Sequence, residues 1–497
     1  MKKKYIAMLL GTVLMLGITG MSGCGRTTDS GDNSSQEENV DQEDSTEISE
    51  YSEQEFDTMA SITLGSSISI EGTGATVEDT TITITEAGEY IVEGSLEGGA
   101  IVVDADGDVK ITLNGVTLSN QEGPAIYEKS ADSLTIEAIE GTENVLSDGS
   151  EYVTDENGET EGTATISSKD DLYLIGNGEV TITGNYKHAV KGSDSVWVEG
   201  GTWILSGEKD GIHANDYLTV DGGSIEVVSC SEGLEAEIGV TVNGGTISIN
   251  CEDDGINGGS DITINGGTIY VNASTGDGID SNGSLSIHGG LILAFGGQEP
   301  ECGLDCDQNE IIITGGTIIA TGGSNSSPSE SEDTQYAVLL GAASAGDTIG
   351  ILAEDGTTIL AFEVSENYSN LLFSSADISE GGTYTIYTGG TITGGTEYYG
   401  YYEGASYEGG TESQVFTADS MLIEAGGSVD SMMGGGMMQG GPGGRGNWSD
   451  SEMPEMPEGE MPEMPEGGMP EGEMPEMPEG GMPEGEMPQN NSNGENK

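Results

Sequence analysis

The sequence has few basic residues and few aromatic ones. Lys and Arg together number 12 against 89 Asp and Glu residues, so the formal net charge is −77 at pH 7. Because nucleic acids are held chiefly by Lys and Arg contacts to phosphate, this composition excludes nucleic acid as a partner. Aromatic residues make up 5% of the chain and hydrophobic residues 34%, whereas Gly numbers 83. These values argue against large helical cores, and they fit a disordered chain unless the bias is confined to particular segments.

The N-terminus predicts an exported protein with a lipid anchor. Three lysines follow Met1, an apolar stretch covers residues 5–21, and the sequence Met-Ser-Gly-Cys ends at Cys24. This resembles a bacterial lipobox, although Leu is more usual than Met21 at its first position, and it predicts lipidation of Cys24; an ordinary signal peptide with an incidental Cys is the alternative. No other stretch is long and apolar enough to span a bilayer. We therefore expect a signal peptide at residues 1–24 and a mature protein on the extracellular face of the bacterial membrane, held there only by lipid.

Low-complexity segments flank the rest of the chain. Residues 25–55 are rich in Ser, Asp and Glu, which predicts an acidic disordered linker. Residues 427–497 are rich in Gly and Met and then repeat Met-Pro-Glu, which predicts an extended disordered tail. The thioethers of this tail leave a copper-binding interpretation open beside that of a plain spacer. The folded body is therefore predicted between about residues 56 and 425.

A repeat dominates that body. Pairs of Gly recur with spacings of 22, 22, 22, 23 and 26 residues, beginning at Gly200-Gly201 and ending at Gly315-Gly316. Each pair lies between two short alternating runs, such as 240–242 and 247–249, and a third short run opens each unit with Gly and a branched residue. Three short β runs for every 22 residues or so, with Gly at the corners, are typical of one coil of a parallel β-helix.

The predicted fold is all-β, a right-handed parallel β-helix with coils of about 22 residues, a C-terminal β cap and disordered tails. The period-2 alternation directs Ile, Leu and Val inward, and Thr, Ser and charged residues outward. Less regular coils are expected earlier, for example at 101–103, 111–113 and 172–174. We place the β-helix at residues 56–335 and the cap at 336–426, where the Gly period fades; a small appended β domain is the alternative to a cap.

Acidic residues fall into columns when the coils are aligned on the opening Gly. They occupy the position one residue before that Gly and the positions two and four residues after it. No Lys or Arg occurs from Gly211 to Gly444. Like charges on neighbouring strands destabilise each other, so a bound cation is the expected compensation, and oxygen donors favour Ca²⁺. The candidate metal ligands are Asp210, Glu232, Glu235, Glu237, Asp254, Asn257, Asp277, Asp280, Asp305 and Asp307. A solvated acidic face is the alternative.

The residue before each opening Gly leaves one question of direction open. Strict alternation would bury Asp210 and its equivalents beside the inward Ile212, whereas a corner at Gly211 would turn them outward.

Several motifs resemble a known family. These are the stretch 209–216 (Lys-Asp-Gly-Ile-His-Ala-Asn-Asp), the Asn-Gly-Gly-Thr-Ile units at Asn243 and Asn265, the stretch 168–174, and the C-terminal stretches 345–351 and 379–385. Over about residues 56–425 the chain resembles the clostridial cellulose- and acidic-sugar-binding parallel β-helix surface proteins, whose fold is similar to that of family-nine pectate lyases. The resemblance implies a secreted or lipid-anchored carbohydrate-binding protein with Ca²⁺ along the helix. The scarcity of basic residues argues against direct recognition of an acidic sugar by charge.

The function predicted first is calcium-dependent, non-catalytic binding of plant cell-wall polysaccharide, either cellulose or a polygalacturonate-type acidic sugar. Outward Thr219, Thr241 and Thr263, continued by Ser286, form a hydroxyl strip, and Trp197 occupies the aligned position one coil earlier. Tyrosines between 398 and 407 are a second candidate for sugar contact. Trp197 could instead cover a loop, and these tyrosines could fill a cap.

Two other functions stay open. In a calcium-dependent lyase, Ca²⁺ would acidify the C5 proton of a uronate and Lys187, Lys191 or Lys209 would remove it. Such a base must be neutral, whereas carboxylate neighbours would raise the pKa of a lysine, so we expect ion pairs with Glu208, Asp194 or Asp210 instead. The third possibility is a structural surface adhesin without a sugar ligand.

Cys230 and Cys251 occupy nearly the same register of adjacent coils, and a disulfide and two buried thiols are equally open there.

Overall fold

The structure, a computed structural model, describes residues 55–427 except 155–157, 159 and 308–309. Cys24, the predicted signal peptide, the linker up to residue 54 and the tail from residue 428 lie outside the described residues. The described part is all-β and without a helix, so it offers no helix for crossing a membrane. It winds as a parallel β-solenoid of about 10 turns, which confirms the predicted fold.

Each full turn contributes one short strand to each of three faces. The first face contains the strands Ala75–Glu78, Thr81–Ile84, Ala100–Asp104, Ile126–Ser130, Ala164–Ser168, His188–Gly192, Asp210–Ala214, Glu232–Ala236, Ile256–Gly258, Ile279–Ser281 and Leu304–Cys306. The second contains Thr58–Leu64, with Ser69–Gly72 antiparallel to it, then Gly88–Glu97, Val109–Ser119, Ser133–Ala138, Asp171–Gly176, Val196–Val198, Tyr217–Val220, Gly239–Val242, Asp261–Ile264, Ser284–Ile287 and Ile312–Ile313. The third contains Glu143–Ser147, Glu179–Gly184, Thr202–Gly207, Ser224–Ser229, Thr246–Cys251, Thr268–Ala273, Leu291–Phe295 and Thr317–Gly322.

Branched aliphatic side chains fill the interior in columns. On the first face Ile212, Leu234 and Ile256 pair in register from coil to coil, and all three are fully buried. The outward residues between them are polar, because successive side chains of a strand point to opposite sides of the sheet. The narrow interior needs few large residues; Trp203 is fully buried in it, and its indole N–H donates to Gly200 O at 2.7 Å.

The second Gly of each Gly pair forms a corner. Gly223, Gly245 and Gly267 have φ values of 79°, 86° and 95°, a left-handed conformation that disfavours residues with a side chain. A Cβ atom on Gly245 would lie 2.9 Å from the carbonyl oxygen of Gly223 in the preceding coil. Both the backbone conformation and the close stacking of coils therefore require Gly at this position.

The residue before the opening Gly points outward. A Cβ atom on Gly211 would meet the core side chain of Val227, so Gly211 and Ile212 both face the interior and the alternation breaks between Asp210 and Ile212. Asp210 consequently lies on the same side as His213, with Asp210 Oδ2 and His213 Nδ1 2.9 Å apart. Of the two directions that the sequence left open, the outward one is observed.

The end of the solenoid is covered by three further strands, two of them in antiparallel pairing and the third in parallel pairing. Tyr368–Ser374 pairs antiparallel with the last third-face strand, and Ala337–Ala343 and Leu422–Ala425 follow it in the sheet. A second sheet, which we call the appended sheet, contains Thr396–Tyr398, Tyr401–Glu403, Thr358–Glu363, Thr348–Ala353, Thr383–Thr388 and Thr411–Thr417. Thr391–Thr393 and Ser406–Glu408 form a two-stranded ribbon beside it.

The appended sheet packs against the outer side of the third face and forms a second core. Outward positions of that face change from Glu226 and Ser248 to Leu293 and Ile319, and the last two are buried under the appended sheet. Phe362 of the appended sheet contacts Phe295, with ring centroids 6.0 Å apart. The outward residues become apolar where a second layer removes them from water.

Candidate functional site

The outer side of the first face carries a column of polar residues in register. Lys191 pairs with His213, and the column continues through Glu235, Asn257, Asp280 and Asp305. Asp210 and Glu232, which stand before the opening Gly, pair in register beside this column. We call the outward polar residues from Asp210 to Asp307 the acidic ladder. Alignment of the sequence on Gly predicted its columns correctly.

The ladder begins at a buried cluster of two histidines and one aspartate. Asp210 is fully buried, and its Oδ2 lies 2.7 Å from His188 Nδ1 and 2.9 Å from His213 Nδ1. Burial alone would raise the pKa of Asp210, but the contacts with both imidazoles lower it strongly. Burial lowers the pKa of His188, whereas the contacts of His213 with Asp210 and Glu235 outweigh its burial and raise its pKa to about 9.

Lys209 supplies a cation to the upstream half of the ladder, which comprises Asp210, Glu232 and Glu235. Its Nζ lies 3.0 Å from Glu235 Oε2, 3.4 Å from Asp210 Oδ1 and 3.8 Å from Glu232 Oε1. The expectation that the ladder lacks a neutralising side chain is therefore wrong for these coils, because the long lysine side chain reaches across to the following coil. Even so, burial and the neighbouring Glu235 raise the pKa of Glu232 to about 7, and Glu232 Oε2 is buried without a hydrogen-bond partner.

Lys191 differs from Lys209. Among the described residues it forms none of the ion pairs that Lys209 forms, and burial lowers its pKa although Glu237, Asp210 and Glu235 act in the opposite direction. The sequence predicted an ion-paired lysine with a raised pKa, which holds for Lys209 and is wrong for Lys191. Glu237 lies at the solvent edge, with its Oε1 3.7 Å from His213 Nε2 and its side chain 60% exposed.

Farther along the ladder, three carboxylates converge without a basic neighbour. Asp254, Asp277 and Asp280, the three-aspartate group, each place one oxygen within 4.8 Å of the others. Asp254 Oδ1 accepts from Asp277 N at 2.8 Å, and Asp277 Oδ1 accepts from Cys302 N at 2.5 Å. Burial raises the pKa of Asp277 to about 8 and that of Asp280 to about 7, with further contributions from neighbouring carboxylates. Such a set of oxygen donors with unbalanced charge is chemically suited to a hard divalent cation.

The remaining predicted ligands lie around this group. Asn257 Nδ2 is 3.5 Å from Asp254 Oδ2, and Asn257 Oδ1 accepts from the Asn282 amide at 3.4 Å. Asp305 occupies the next coil, where Ser326 Oγ donates to it at 2.6 Å, and Asp307 is exposed. The structure thus brings Asn257 to the edge of the three-aspartate group and leaves Asp307 in solvent.

The second face carries the predicted hydroxyl strip. Trp197 pairs with Thr219, and the same column continues through Thr241, Thr263 and Ser286. These side chains are all partly exposed. The acidic ladder and this hydroxyl column lie on different faces of the solenoid, a separation that the sequence did not predict.

Sequence reasoning missed one member of this column. Tyr173 pairs with Trp197 in register, and the two rings stack with centroids 4.7 Å apart and planes 11° apart. The strand at 172–174 was predicted, so aligning it on Trp197 would have identified the aromatic pair. Because each ring covers one face of the other, the opposite face of Trp197 is the one left for a ligand near Thr219.

The predicted tyrosine cluster serves mainly to pack the appended sheet. Tyr401 and Tyr407 are buried, and Tyr407 Oη accepts from Gly390 N at 2.8 Å. Tyr399 stacks on Tyr270 of the third face with ring centroids 3.5 Å apart. The cap interpretation therefore applies to these residues.

The Cys230 and Cys251 thiols are buried and not bonded to each other, as one of the two alternatives predicted. Burial raises the pKa of Cys230 to about 12, so its thiol is protonated at neutral pH.

Three likenesses to known proteins accompany this geometry. A family profile for carbohydrate-binding domain-containing proteins matches residues 78–238 and 230–391, more than half of the chain. A carbohydrate-binding domain-containing protein of Acetivibrio thermocellus is 32% identical over 130 residues, which are 26% of this chain and 46% of that protein, so the chain spans about half the length of this relative. The solved structure of a polysaccharide lyase-like protein from C. thermocellum, a gadolinium derivative, is 28% identical with a TM-score of 0.45, covering 46% of this chain and 96% of that one.

Proposed function

The chain belongs to the family of carbohydrate-binding domain-containing proteins, and from this premise we propose that it binds plant cell-wall polysaccharide without cleaving it. The observation that carries the proposal is the unbroken outward column of the second face, in which two stacked aromatic rings are followed by four hydroxyl side chains in register. Aromatic rings pack on the C–H surfaces of sugars, and hydroxyl groups exchange hydrogen bonds with sugar hydroxyls. A neutral, extended chain such as cellulose suits this column.

Calcium is the second part of the proposal. The three-aspartate group offers oxygen donors, lacks a basic neighbour among the described residues and holds carboxylates whose pKa values are raised, so these residues fit Ca²⁺. Bound Ca²⁺ would neutralise the ladder and attract the carboxylates of a polygalacturonate-type sugar. Asp254, Asp277 and Asp280 would hold the ion, with Asn257 beside them. An acidic sugar would therefore bind on the first face and require Ca²⁺, whereas cellulose would bind on the second face.

The place of action is also a proposal. Lipidation of Cys24 would hold the protein on the outer face of the bacterial membrane, where extracellular polysaccharide is accessible. Mass spectrometry of the protein purified from membranes of a bacterial expression host tests it. Acylation at Cys24 is expected, and a mature protein cleaved elsewhere and released without lipid would contradict it.

The two faces can be tested separately by calorimetry on the full chain carrying Cys24→Ser. Trp197→Ala is expected to weaken binding to soluble cello-oligosaccharides by 10-fold or more, about 1.4 kcal/mol, and to leave polygalacturonate binding unchanged. Asp277→Asn with Asp280→Asn is expected to abolish Ca²⁺-dependent polygalacturonate binding and to spare cello-oligosaccharides. Tyr402→Ala, a partly exposed tyrosine on the appended sheet, is the matched control. Absence of heat with both sugars, with or without Ca²⁺, would reject carbohydrate binding and leave a structural surface adhesin.

One observation favours lyase activity as a second candidate. A lyase needs a lysine that can be neutral, and burial lowers the pKa of Lys191 beside the acidic ladder. Incubation with polygalacturonate and Ca²⁺, followed by absorbance at 235 nm, detects the unsaturated product. A rise in absorbance that Lys191→Gln removes and Lys209→Gln retains would establish the lyase, and a flat trace at every pH from 7 to 10 would leave the binding function.

A further inference from the structure

The His–Asp–His cluster, formed by His188, Asp210 and His213, has a composition that sets it apart from the rest of the ladder. It offers two imidazole nitrogens and one carboxylate oxygen within 4.8 Å of one another, on three side chains that are all buried. The three-aspartate group offers only oxygen. Imidazole is a ligand for zinc, copper, nickel and iron, whereas Ca²⁺ and Mg²⁺ select oxygen. The two groups are therefore suited to different ions.

Unpaired polar atoms point to a ligand in this cluster. His188 Nδ1 and Asp210 Oδ1 are buried without a hydrogen-bond partner, on side chains that are 5% and 0% exposed, and Asp210 Oδ1 has the Lys209 ammonium group 3.4 Å away. His188 Nδ1 lies 2.7 Å from Asp210 Oδ2, close enough for both atoms to face one bound ion. A buried polar atom without a partner is costly, and coordination of a cation removes that cost.

The distances within the cluster suit a small first-row ion. His213 Nδ1 lies 2.9 Å from Asp210 Oδ2 and 2.7 Å from Glu235 Oε2, so Glu235 is in reach as a further ligand. Zinc binds nitrogen and carboxylate oxygen at about 2.0–2.2 Å, so the ligand atoms of a tetrahedral ion lie roughly 3.3–3.6 Å apart. The atoms of this cluster, 2.7–2.9 Å apart, need to separate by about half an ångström to share one such ion. Asp210, Glu232 and Glu235 meet here the ammonium group of Lys209 and the imidazole of His213, whose proton a bound ion would replace.

We propose that His188, His213 and Asp210 bind a divalent transition-metal ion of the zinc type, at a site separate from the three-aspartate group. Glu235 completes the ligand set. The solenoid would then hold two kinds of metal site on one face, a mixed nitrogen and oxygen site at the upstream end and an all-oxygen site two coils farther on.

Cobalt provides a direct test, since Co²⁺ replaces Zn²⁺ and its visible absorption reports the ligands. The full chain with Cys24→Ser, freed of metal by dialysis, is titrated with Co²⁺ and then with Zn²⁺. We expect a visible band that grows to one equivalent, disappears when Zn²⁺ is added and persists in millimolar Ca²⁺. Absence of the band, or its loss in Ca²⁺, would overturn the proposal, because the ion would then be absent or bound by the oxygen ladder.

The chain has three histidines, which provides a matched control. His188→Asn and His213→Gln keep the side chains polar. Each is expected to weaken Zn²⁺ binding in calorimetry by at least 10- to 100-fold, because this is the loss of metal affinity that follows even when a residue that only hydrogen-bonds to a metal ligand is replaced. His288→Ala, an exposed residue on the second face, should bind Zn²⁺ normally. Circular dichroism and the metal-free melting temperature establish that each variant is folded.

Two variants separate this site from the calcium proposal. Asp277→Asn with Asp280→Asn should lose Ca²⁺ binding and retain the Co²⁺ band, so failure of the calcium site leaves this one standing. Cobalt binding that survives both histidine substitutions, or a thiolate-to-cobalt charge-transfer band in the near ultraviolet, would assign the ion to other residues and reject the proposal.

Discussion

The two halves of the acidic ladder occupy equivalent positions of successive coils but differ in how their charge is balanced. Upstream, Lys209 contacts Asp210, Glu232 and Glu235, and two imidazoles approach Asp210. Downstream, Asp254, Asp277 and Asp280 form no ion pair with a basic side chain among the described residues, and Lys and Arg are absent from Gly211 to Gly444. The repeat therefore sets the position of each acidic side chain. The other residues of its coil determine whether a basic side chain or a bound metal ion neutralises it. Four predictions test this contrast, beginning with the largest expected effect.

The downstream half should account for most of the stabilisation by Ca²⁺. A ligand at 100 times its Kd stabilises the folded state by about 2.7 kcal/mol. Asp277→Asn with Asp280→Asn should remove this gain entirely, and it should raise the stability in EDTA because two carboxylates no longer repel each other. Urea unfolding with Ca²⁺ and with EDTA measures both effects. Glu232→Gln makes the corresponding change in the upstream half. If it reduces the stabilisation by Ca²⁺ as much as the double asparagine variant does, the two halves do not differ in their need for an added cation.

Without divalent ions, stability should fall as the pH rises. The pKa values of about 8 for Asp277 and about 7 for Asp280 lie above the value of about 3.9 for an unfolded aspartate. The folded chain consequently binds more protons than the unfolded chain between about pH 4 and 8, so the free energy of unfolding decreases across this window. The expected decrease is on the order of a few kcal/mol in EDTA.

Urea midpoints at pH 5, 6.5 and 8 measure this dependence. The double asparagine variant should show a flatter profile, and saturating Ca²⁺ should have the same effect on the parent chain. A midpoint that increases steadily from pH 5 to pH 8 in EDTA would contradict the assigned cause.

Removal of Lys209 should make the upstream half resemble the downstream half. Lys209→Gln leaves the buried Asp210 and its neighbours without their ammonium group, and we expect a loss of about 1–2 kcal/mol, limited because the lysine side chain is 44% exposed. Added Ca²⁺ should restore part of that loss. Lys129→Gln, which breaks the exposed pair with Asp104, serves as control and should leave the stability nearly unchanged, because solvent screens this pair. Equal losses in the two variants would indicate that Lys209 is also an ordinary surface lysine.

Exposed members of the ladder should contribute least. Glu237→Gln and Asp307→Asn alter side chains in solvent, so the stability should change by no more than about 0.5 kcal/mol. Their Ca²⁺ affinity in calorimetry should stay within about twofold of the parent. A loss of Ca²⁺ affinity comparable to that of Asp277→Asn would show that the metal site includes these exposed side chains.

The fold and the columns could be predicted from the sequence because both depend on local periodicity. The Gly spacing established the register, so Ile212, Leu234 and Ile256 were placed in the core and Thr219, Thr241 and Thr263 in one outward row. Contacts between coils depend on side-chain length and direction, which a column alignment does not contain. The reach of Lys209 to Glu232 and Glu235 of the following coil was for that reason beyond the sequence, which also left two directions open for Asp210.

Packing between distant segments was also beyond the sequence. Nothing in the local pattern around Tyr270 indicates that Tyr399, in a later sheet, stacks on it. The apolar change at Leu293 and Ile319 is a signal for such a second layer, and it can be recognised once the register of the third face is known.

The left-handed glycines at the corners affect how such a chain can vary. A side chain at Gly245 would strike the carbonyl group of Gly223, and the same holds between Gly267 and Gly245. Corner positions therefore do not tolerate gradual substitution, whereas whole coils can be duplicated or deleted without altering any corner. The face that carries the acidic ladder can thus lengthen in steps of one coil, and each step adds a fresh set of outward positions on which new chemistry can arise.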